Sequence, residues 1–297
     1  MSIVRFADLG LRGGKTKFFE TIAFIPPDAY DTDAQTWFDA VETADGEALE
    51  VAVKNAVNDF VVGIKSDGIW DSLDVIYMLS VARTLSGIAI PLKGAVSPTL
   101  TNFVSGDYNR ITGLKGNYTT NTYIETNYNM NDWDSSDFFI GAYQTEAREL
   151  ASVSGHVNEA MFARIEGATS SNTFYLLINQ STQNSAVTRY FSSTAFIHNA
   201  GGTGTLIPYN STGVLYSTTS SSSAGYTVAA GALNDIITNT VNSSDAVALR
   251  FYTRNVTSPT EVFTGRLSYA CIGSNIDHDT LDARMDTLYS DIQGAIV

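Results

Sequence analysis

Beyond about residue 95 the chain is a succession of short β-prone runs separated by Gly, Ser, Thr and Asn. They read "TYIET", "DFFIGAYQT", "MFARIEG", "TFYLLINQ", "TRYFSS", "AFIH", "VLYSTT", "AVALRFYTRN" and "GRLSYACIGS". No helical periodicity intervenes. Frequent short strands with turn residues between them predict an antiparallel sandwich or barrel. "DFFIGAYQT" and "AVALRFYTRN" carry the strongest strand signal, because aromatic and β-branched residues suit a pleated, half-buried surface. The serine run "STTSSSSAGY", Ser217 to Tyr226, reads as a loop or a strand-edge crossing.

The preceding region has another texture. Residues 28–78 hold 12 acidic side chains and two basic ones, Lys54 and Lys65. In "TDAQTWFDAVETA", Thr32 and Gln35 form a capping-box pattern, with Trp37, Val41 and Ala44 on one face. Leu49, Val53, Val57, Phe60, Val61 and Ile64 make a second helical stripe that ends at the turn signal Asp67-Gly68. "IWDSLDVIYML" fits either helix or strand. The acidic run is the solvated outer face of a helical hairpin or three-helix unit. At the other end Asp277 or Asp279 can cap a helix whose stripe is Leu281, Met285, Leu288 and Ile292. The chain therefore divides into an arm (1–27), a small helical region (28–95) and a sandwich with a C-terminal helix (96–297). The arm carries Arg5, Phe6, Arg12, Lys15, Lys17 and Phe18 among glycines. It reads either as a flexible tail or as an anchor onto a neighbouring subunit.

Chemistry is sparse. With 297 residues and 44% hydrophobic content, a core can form. A net charge of −14 argues against nucleic acid and anionic membranes as partners. No apolar run is long enough to span a bilayer, and the N-terminus lacks the apolar segment of a signal peptide. Cys271 is the single cysteine, expected as a small buried hydrophobe. His156, His198 and His278 lack metal-ligand spacing, the Gly201–Gly204 loop lacks a phosphate-loop Lys-Ser/Thr, and no Gly-x-Ser-x-Gly is present. Glu146 and Glu149 are the nearest thing to a glycosidase carboxylate pair in the sandwich, without the bracketing aromatic residues expected of one. Asp132, Asp134 and Asp137 offer hard oxygen donors of the kind calcium takes, and equally form a solvated loop. Five Asn-x-Ser/Thr sequons occur in a chain rich in all three residues, which indicates no glycosylation in the absence of an export signal.

One strip stands apart: "GLKGNYTTNTYIETNYN", Gly113 to Asn129. Its alternation is that of a strand, with Gly113 and Gly116 at turn positions. Tyr118, Tyr123, Tyr128, Trp133 and Tyr143 are candidates to stack on sugar faces, or else to pack within the sheets. The longer segment "FVSGDYNRITGLKGNYTTNTYIETNYN" resembles bacteriophage virion proteins, in which a Gly-Leu-x-Gly turn leads into a strand and then a Thr-Asn-Tyr-Asn loop. The upstream "WFDAVETADGEALEVAVKNAVNDFVVGIKSDGIWDSLDVIYML", the "LKG" at Leu92 to Gly94 and the closing "YACIGSNIDHDTLDARMDTLYSDI" extend the resemblance over roughly residues 30 to 295. Tyr118 departs from it, standing where such turns more often carry glycine.

The resemblance implies a mostly β protein with a concanavalin A-like or laminin-G-like antiparallel jelly roll, preceded by the arm and helical unit. It implies a structural component of a tailed-phage virion, assembled in the host cytoplasm. A tail-associated fibre or adsorption role touching host surface glycan is the first reading; a capsid decoration or head-fibre protein is the second. Other virion proteins gripped by the arm, and further copies of the chain, are the expected partners. No cofactor is expected, calcium aside. Glycosidases of this fold carry an acidic motif on one strand that has no match here, so the chain is expected not to be an enzyme. A polysaccharide-degrading enzyme on the same fold is the remaining alternative.

Overall fold

The structure is a computed structural model describing residues 30–129, 137–146, 159–164, 174–178, 186–189, 196–198, 213–221, 224–229, 232–238, 248–253, 262–274 and 276–296. Asp31–Val297 is one compact unit. The arm residues Arg5, Phe6, Arg12, Lys15, Lys17 and Phe18 lie outside the described residues.

Helix α1 spans Thr32–Asp45. Its cap is Asp31, whose carboxylate accepts from the Asp33 amide at 2.9 Å, and not Thr32 as the capping-box spacing predicts. A carboxylate there also meets the positive end of the helix dipole. The helix stops at Gly46, which supplies the left-handed φ of 71°. Helix α2, Val51–Ser66, buries Val53, Val57, Phe60, Val61 and Ile64, the stripe read from sequence. The ambiguous "IWDSLDVIYML" resolves into a short turn and strand β1, Leu73–Met78. A short α3, Leu85–Ile88, and β2, Pro91–Lys93, follow.

The remaining elements are β3 Thr99–Thr101, β4 Tyr108–Asn109, β5 Gly113–Lys115, β6 Tyr123–Asn129, β7 Phe138–Glu146, β8 Glu159–Arg164, β9 Phe174–Ile178, β10 Ala186–Arg189, β11 Phe196–His198, β12 Gly213–Ser221, β13 Ala224–Ala229, β14 Ala232–Thr238, β15 Ala248–Phe251, β16 Arg266–Gly273 and α4 His278–Ala295. Asp277 caps α4, and Leu281, Met285, Leu288 and Ile292 are its buried stripe. The serine run is a hairpin, β12 pairing β13 from Leu215↔Ala229 to Ser221↔Ala224.

The strands form two antiparallel sheets. The first runs β14-β13-β12-β7-β16-β1-β2, with β5 also paired to β16 and β4 to β5. The second runs β11-β10-β9-β8-β15-β6-β3. They meet face to face: the Tyr77 ring packs edge-on against Phe251 at 6.5 Å, and the Tyr77 hydroxyl donates to the Thr126 carbonyl at 2.9 Å. Helices cover the other face of the first sheet. Phe60 of α2 meets Tyr269 of β16 at 5.7 Å, and Arg284 of α4 grips Asp67 at the end of α2 at 2.7 Å.

The first sheet is thus a middle layer. That is why β7 reads "FFIGAYQ" with every residue buried, a continuous run instead of an alternation. Cys271 on β16 is fully buried, as expected, and burial pushes its thiol up to about 12. Each large side chain removed from water here contributes about 1.5–3 kcal/mol.

The two glycines of "GLKG" do different work from the turns read in sequence. Gly113 has φ +91°, and a Cβ there would sit 2.0 Å from the Leu267 carbonyl oxygen. A Cβ on Gly116 would sit 1.7 Å from the Phe263 carbonyl oxygen. Both let β5 lie against the chain entering β16. Tyr252, fully buried, ties the same region together: its hydroxyl donates to the Leu114 carbonyl at 2.5 Å and accepts from the Leu267 amide at 3.2 Å.

Candidate functional site

Alternation on the second sheet separates its faces. On β6, Ile124 and Thr126 are fully buried and face the first sheet, while Tyr123 and Glu125 between them are half-buried and face outward. On β15, Leu249 and Phe251 point inward and Arg250 outward. Register then aligns a polar row across three strands. Thr99 of β3 pairs with Glu125 of β6, which pairs with Arg250 of β15. Thr101 pairs with Tyr123 in the next row. Cross-strand partners share a face, so these five side chains form one outward patch.

The patch is organised around an ion pair. Arg250 Nε donates to Glu125 Oε2 at 2.5 Å, and its guanidinium lies 4.6 Å over the Tyr123 ring. Arg250 and Glu125 side chains are only 15% and 21% exposed. Burial raises the Glu125 pKa above its ordinary value, and the hydrogen bond and charge of Arg250 offset part of that. Glu125 Oε1 is buried and has no hydrogen-bond partner among the described residues. A polar cleft elsewhere is lined by Asp33, Lys65, Gly68, Trp70 and Asp71, where Lys65 pairs with Asp31 and Asp33, and Lys65 and Lys93 flank the Trp70 ring at 4.8 and 5.0 Å.

The loop entering β6 explains the Asn-Thr composition of the opening strip. Asn117 Oδ1 accepts from the Thr119 amide at 3.0 Å, Thr122 Oγ1 accepts from the Asn117 amide at 2.7 Å, and Asn102 Nδ2 donates to the Thr120 carbonyl at 2.8 Å. Asn102, Asn121 and Asn127 take φ of 61°, 53° and 55°. Asn tolerates the left-handed region and satisfies backbone groups with its side chain, so it turns the chain where most residues would strain.

Of the five aromatic candidates, Tyr123 belongs to the patch, with Arg250 covering one face of its ring. Tyr118 lies half-buried in the loop before β6. Tyr128 reaches the sandwich rim, where its hydroxyl donates to Asp74 Oδ2 at 2.7 Å. Tyr143 is not at the surface. It is 6% exposed, its hydroxyl donates to Asp286 of α4 at 2.7 Å, and its ring meets Tyr289 at 5.3 Å. The middle-layer position of β7 places it there. Trp133 lies outside the described residues, as do Asp132 and Asp134 of the calcium reading; Asp137 is exposed at the start of β7. No cluster of metal-binding side chains occurs among the described residues. Glu146 is paired with Arg266 at 2.9 Å, and Glu149 lies outside the described residues. No helix among the described residues is long and apolar enough to cross a membrane. Glu125 and Arg250 were missed in sequence; the available signal was a charged residue at an outward position of each of two strong strands.

No family model matches the chain, and no curated protein matches it. Among solved structures, it is similar to a Trypanosoma rangeli sialidase mutant displaying trans-sialidase activity, at 9% identity and TM-score 0.49, over 78% of this chain and 39% of that one. It is similar to Trypanosoma rangeli sialidase in complex with 2,3-difluorosialic acid, at 11% identity and TM-score 0.48, over 87% and 38%. The binding domain of botulinum neurotoxin serotype D matches at 10% identity and TM-score 0.48, over 77% and 52%. The chain thus spans between about two-fifths and half the length of these proteins, and none of the three is a phage protein. The sequence expectation that the chain is not an enzyme is corrected here. Sialidases stand among the solved structures to which the chain is similar.

Proposed function

We propose that the protein engages carbohydrate through the outward face of β3, β6 and β15, as a component of a tailed-phage particle built on a concanavalin A-like jelly roll. The observation that carries this reading is the polar row Thr99–Glu125–Arg250 beside Tyr123 on a sheet face against which no described helix packs. Hydroxyl, carboxylate and guanidinium groups placed side by side suit the alternating donors and acceptors of a sugar ring. The virion setting is supported by the sequence resemblance over residues 30 to 295, with a tail-associated adsorption role first and a head-decoration role second. Incubating purified protein with immobilised host-surface polysaccharide tests the carbohydrate reading: retention that is lost in an Arg250→Gln variant supports it, and equal retention of both sinks it. Labelling the protein on intact particles tests the setting. Label on tails supports the first station, label across heads the second, and no label removes the virion reading.

Polysaccharide cleavage at the same face is a second reading, favoured by Glu125. A half-buried carboxyl group with a raised pKa retains its proton closer to neutrality than an exposed one, which is the property a general acid needs. Release of reducing ends by the wild-type chain, abolished by Glu125→Gln, would establish it. Absence of release from any polymer that the protein binds would remove it.

A further inference from the structure

We infer that, of the two Asp-Gly pairs in the chain, Asp67–Gly68 is the one that isomerises to isoaspartate, and that Arg284 sets the rate by holding the Asp67 carboxylate. The pairs are Asp45–Gly46 and Asp67–Gly68, and no Asn-Gly occurs. In such a pair the glycine amide nitrogen, unshielded by a side chain, attacks the carboxyl carbon of the aspartate before it. The new C–N bond closes a succinimide ring. One carboxyl oxygen leaves as water, taking the amide proton and the acid proton. Water then adds back to the ring. Opening at one carbonyl restores aspartate, and opening at the other leaves the main chain running through the side-chain carbon. No oxidant or further reactant is needed.

The fold demands glycine at 68. Gly68 has φ +74° in the turn that closes α2, its amide donates to the Lys65 carbonyl at 3.1 Å, and the Ile69 amide donates to the Ile64 carbonyl at 2.9 Å. Both Asp-Gly pairs end a helix, but their carboxylates are held differently. Asp45 accepts from the Arg83 amide at 2.6 Å, the Thr84 amide at 3.0 Å and the Thr84 hydroxyl at 2.6 Å. Two of those donors are main-chain groups, so that carboxyl stays fixed while the loop stays folded. Among the described residues Asp67 is held by one side chain, Arg284, with Nε at 2.7 Å and Nη2 at 3.1 Å. Arg284 is 41% exposed, and exposed ion pairs are weak. Gly63 makes its seat, since a Cβ there would lie 2.9 Å from the guanidinium carbon. While seated, Arg284 holds the Asp67 carboxyl below the usual carboxylate range, which lowers the fraction of the reactive acid form. Isomerisation adds one carbon to the main chain here. It breaks the Ile69–Ile64 bond and draws the carboxylate off Arg284, loosening the contact between α2 and α4.

The test incubates the full-length chain at neutral pH and measures isoaspartate at both pairs by peptide mapping. In the wild type more is expected at Asp67 than at Asp45. Isoaspartate at neither pair, or the reverse order, overturns the assignment. Arg284→Met keeps the stem of the side chain and removes the guanidinium. It is expected to speed isomerisation at Asp67 about fivefold and to leave Asp45 unchanged. An unchanged rate at Asp67 overturns the role of Arg284. An equal rise at both pairs assigns the effect to general loosening and overturns it too. If the variant does not fold, the wild type decides: ~1 M NaCl screens an exposed ion pair and is expected to raise isoaspartate at Asp67 about twofold relative to Asp45. No such rise overturns the inference.

Discussion

The two sheets share a chain and an antiparallel pattern yet differ in what lies on each side. The first is covered twice, by α2 and α4 on one face and by the second sheet on the other. Its central strand β7 is accordingly apolar without interruption from Phe138 to Tyr143. At β6 and β15 of the second sheet, fully buried residues alternate with half-buried ones along "YIE" and "LRF". The comparison teaches that strand periodicity reports position in the stack: continuous apolarity marks a middle layer and alternation marks an outer one. It also separates roles, since a middle layer has nothing to offer a ligand, as the burial of Tyr143 shows.

The sharpest break between the regions comes from truncating the contact that joins them. Tyr77→Ala removes the ring packed on Phe251 and the bond to the Thr126 carbonyl, and is expected to lower stability by about 3–5 kcal/mol in chemical denaturation. A loss under about 1 kcal/mol would mean the sheets do not meet as described.

Next comes a carboxylate on the helical side. Glu50 is held at about 2 by two hydrogen bonds from Arg110, with burial opposing. A depressed carboxylate pKa contributes stability that is present above the ordinary value of 4.5 and lost as pH falls towards 2. Arg110→Met is therefore expected to cost about 1–3 kcal/mol at neutral pH and to flatten the acid limb of the stability curve.

Glu125 on the second sheet has the opposite sign. Its raised pKa means that the folded state binds more protons, so its contribution falls as pH rises above 4.5. Glu125→Gln should remove that smaller decline, read as the difference between the two stability–pH curves over pH ~4–7. The same slope in both proteins would show that the carboxyl is not desolvated.

The smallest effect is expected at Thr101, half-exposed and outward-facing. Thr101→Ala should change stability by no more than about 0.5 kcal/mol, and a larger loss would mean that this face is covered.

Much of the architecture was legible in the amino-acid pattern. The stripes of α2 and α4 and the runs that became β6, β7, β15 and β16 follow directly from periodicity. Strand β14, "ALNDIIT", was not read, because Asn and Asp interrupt its alternation. The capping-box spacing points to Thr32, whereas the chain begins its helix at the carboxylate one residue earlier, Asp31. The candidate site was less legible. Its aromatic member stood out, but Glu125 and Arg250 are 125 residues apart, and only sheet register makes them partners. Trp133, equally prominent in sequence, lies in a segment outside the described residues.

Strand β16 has one further consequence. It pairs with β1, β5 and β7, and its links reach back 188 residues, from Ser268 to Ser80, and 120, from Arg266 to Glu146. During synthesis the centre of the middle layer must therefore stay unpaired until Arg266–Gly273 has left the ribosome. Closing such distant pairings is slow, and the uncovered edges of β1 and β7 are sticky in the interval. A nascent chain truncated before residue 266 should bind chaperones or aggregate, and maturation should be governed by the arrival of a single late segment.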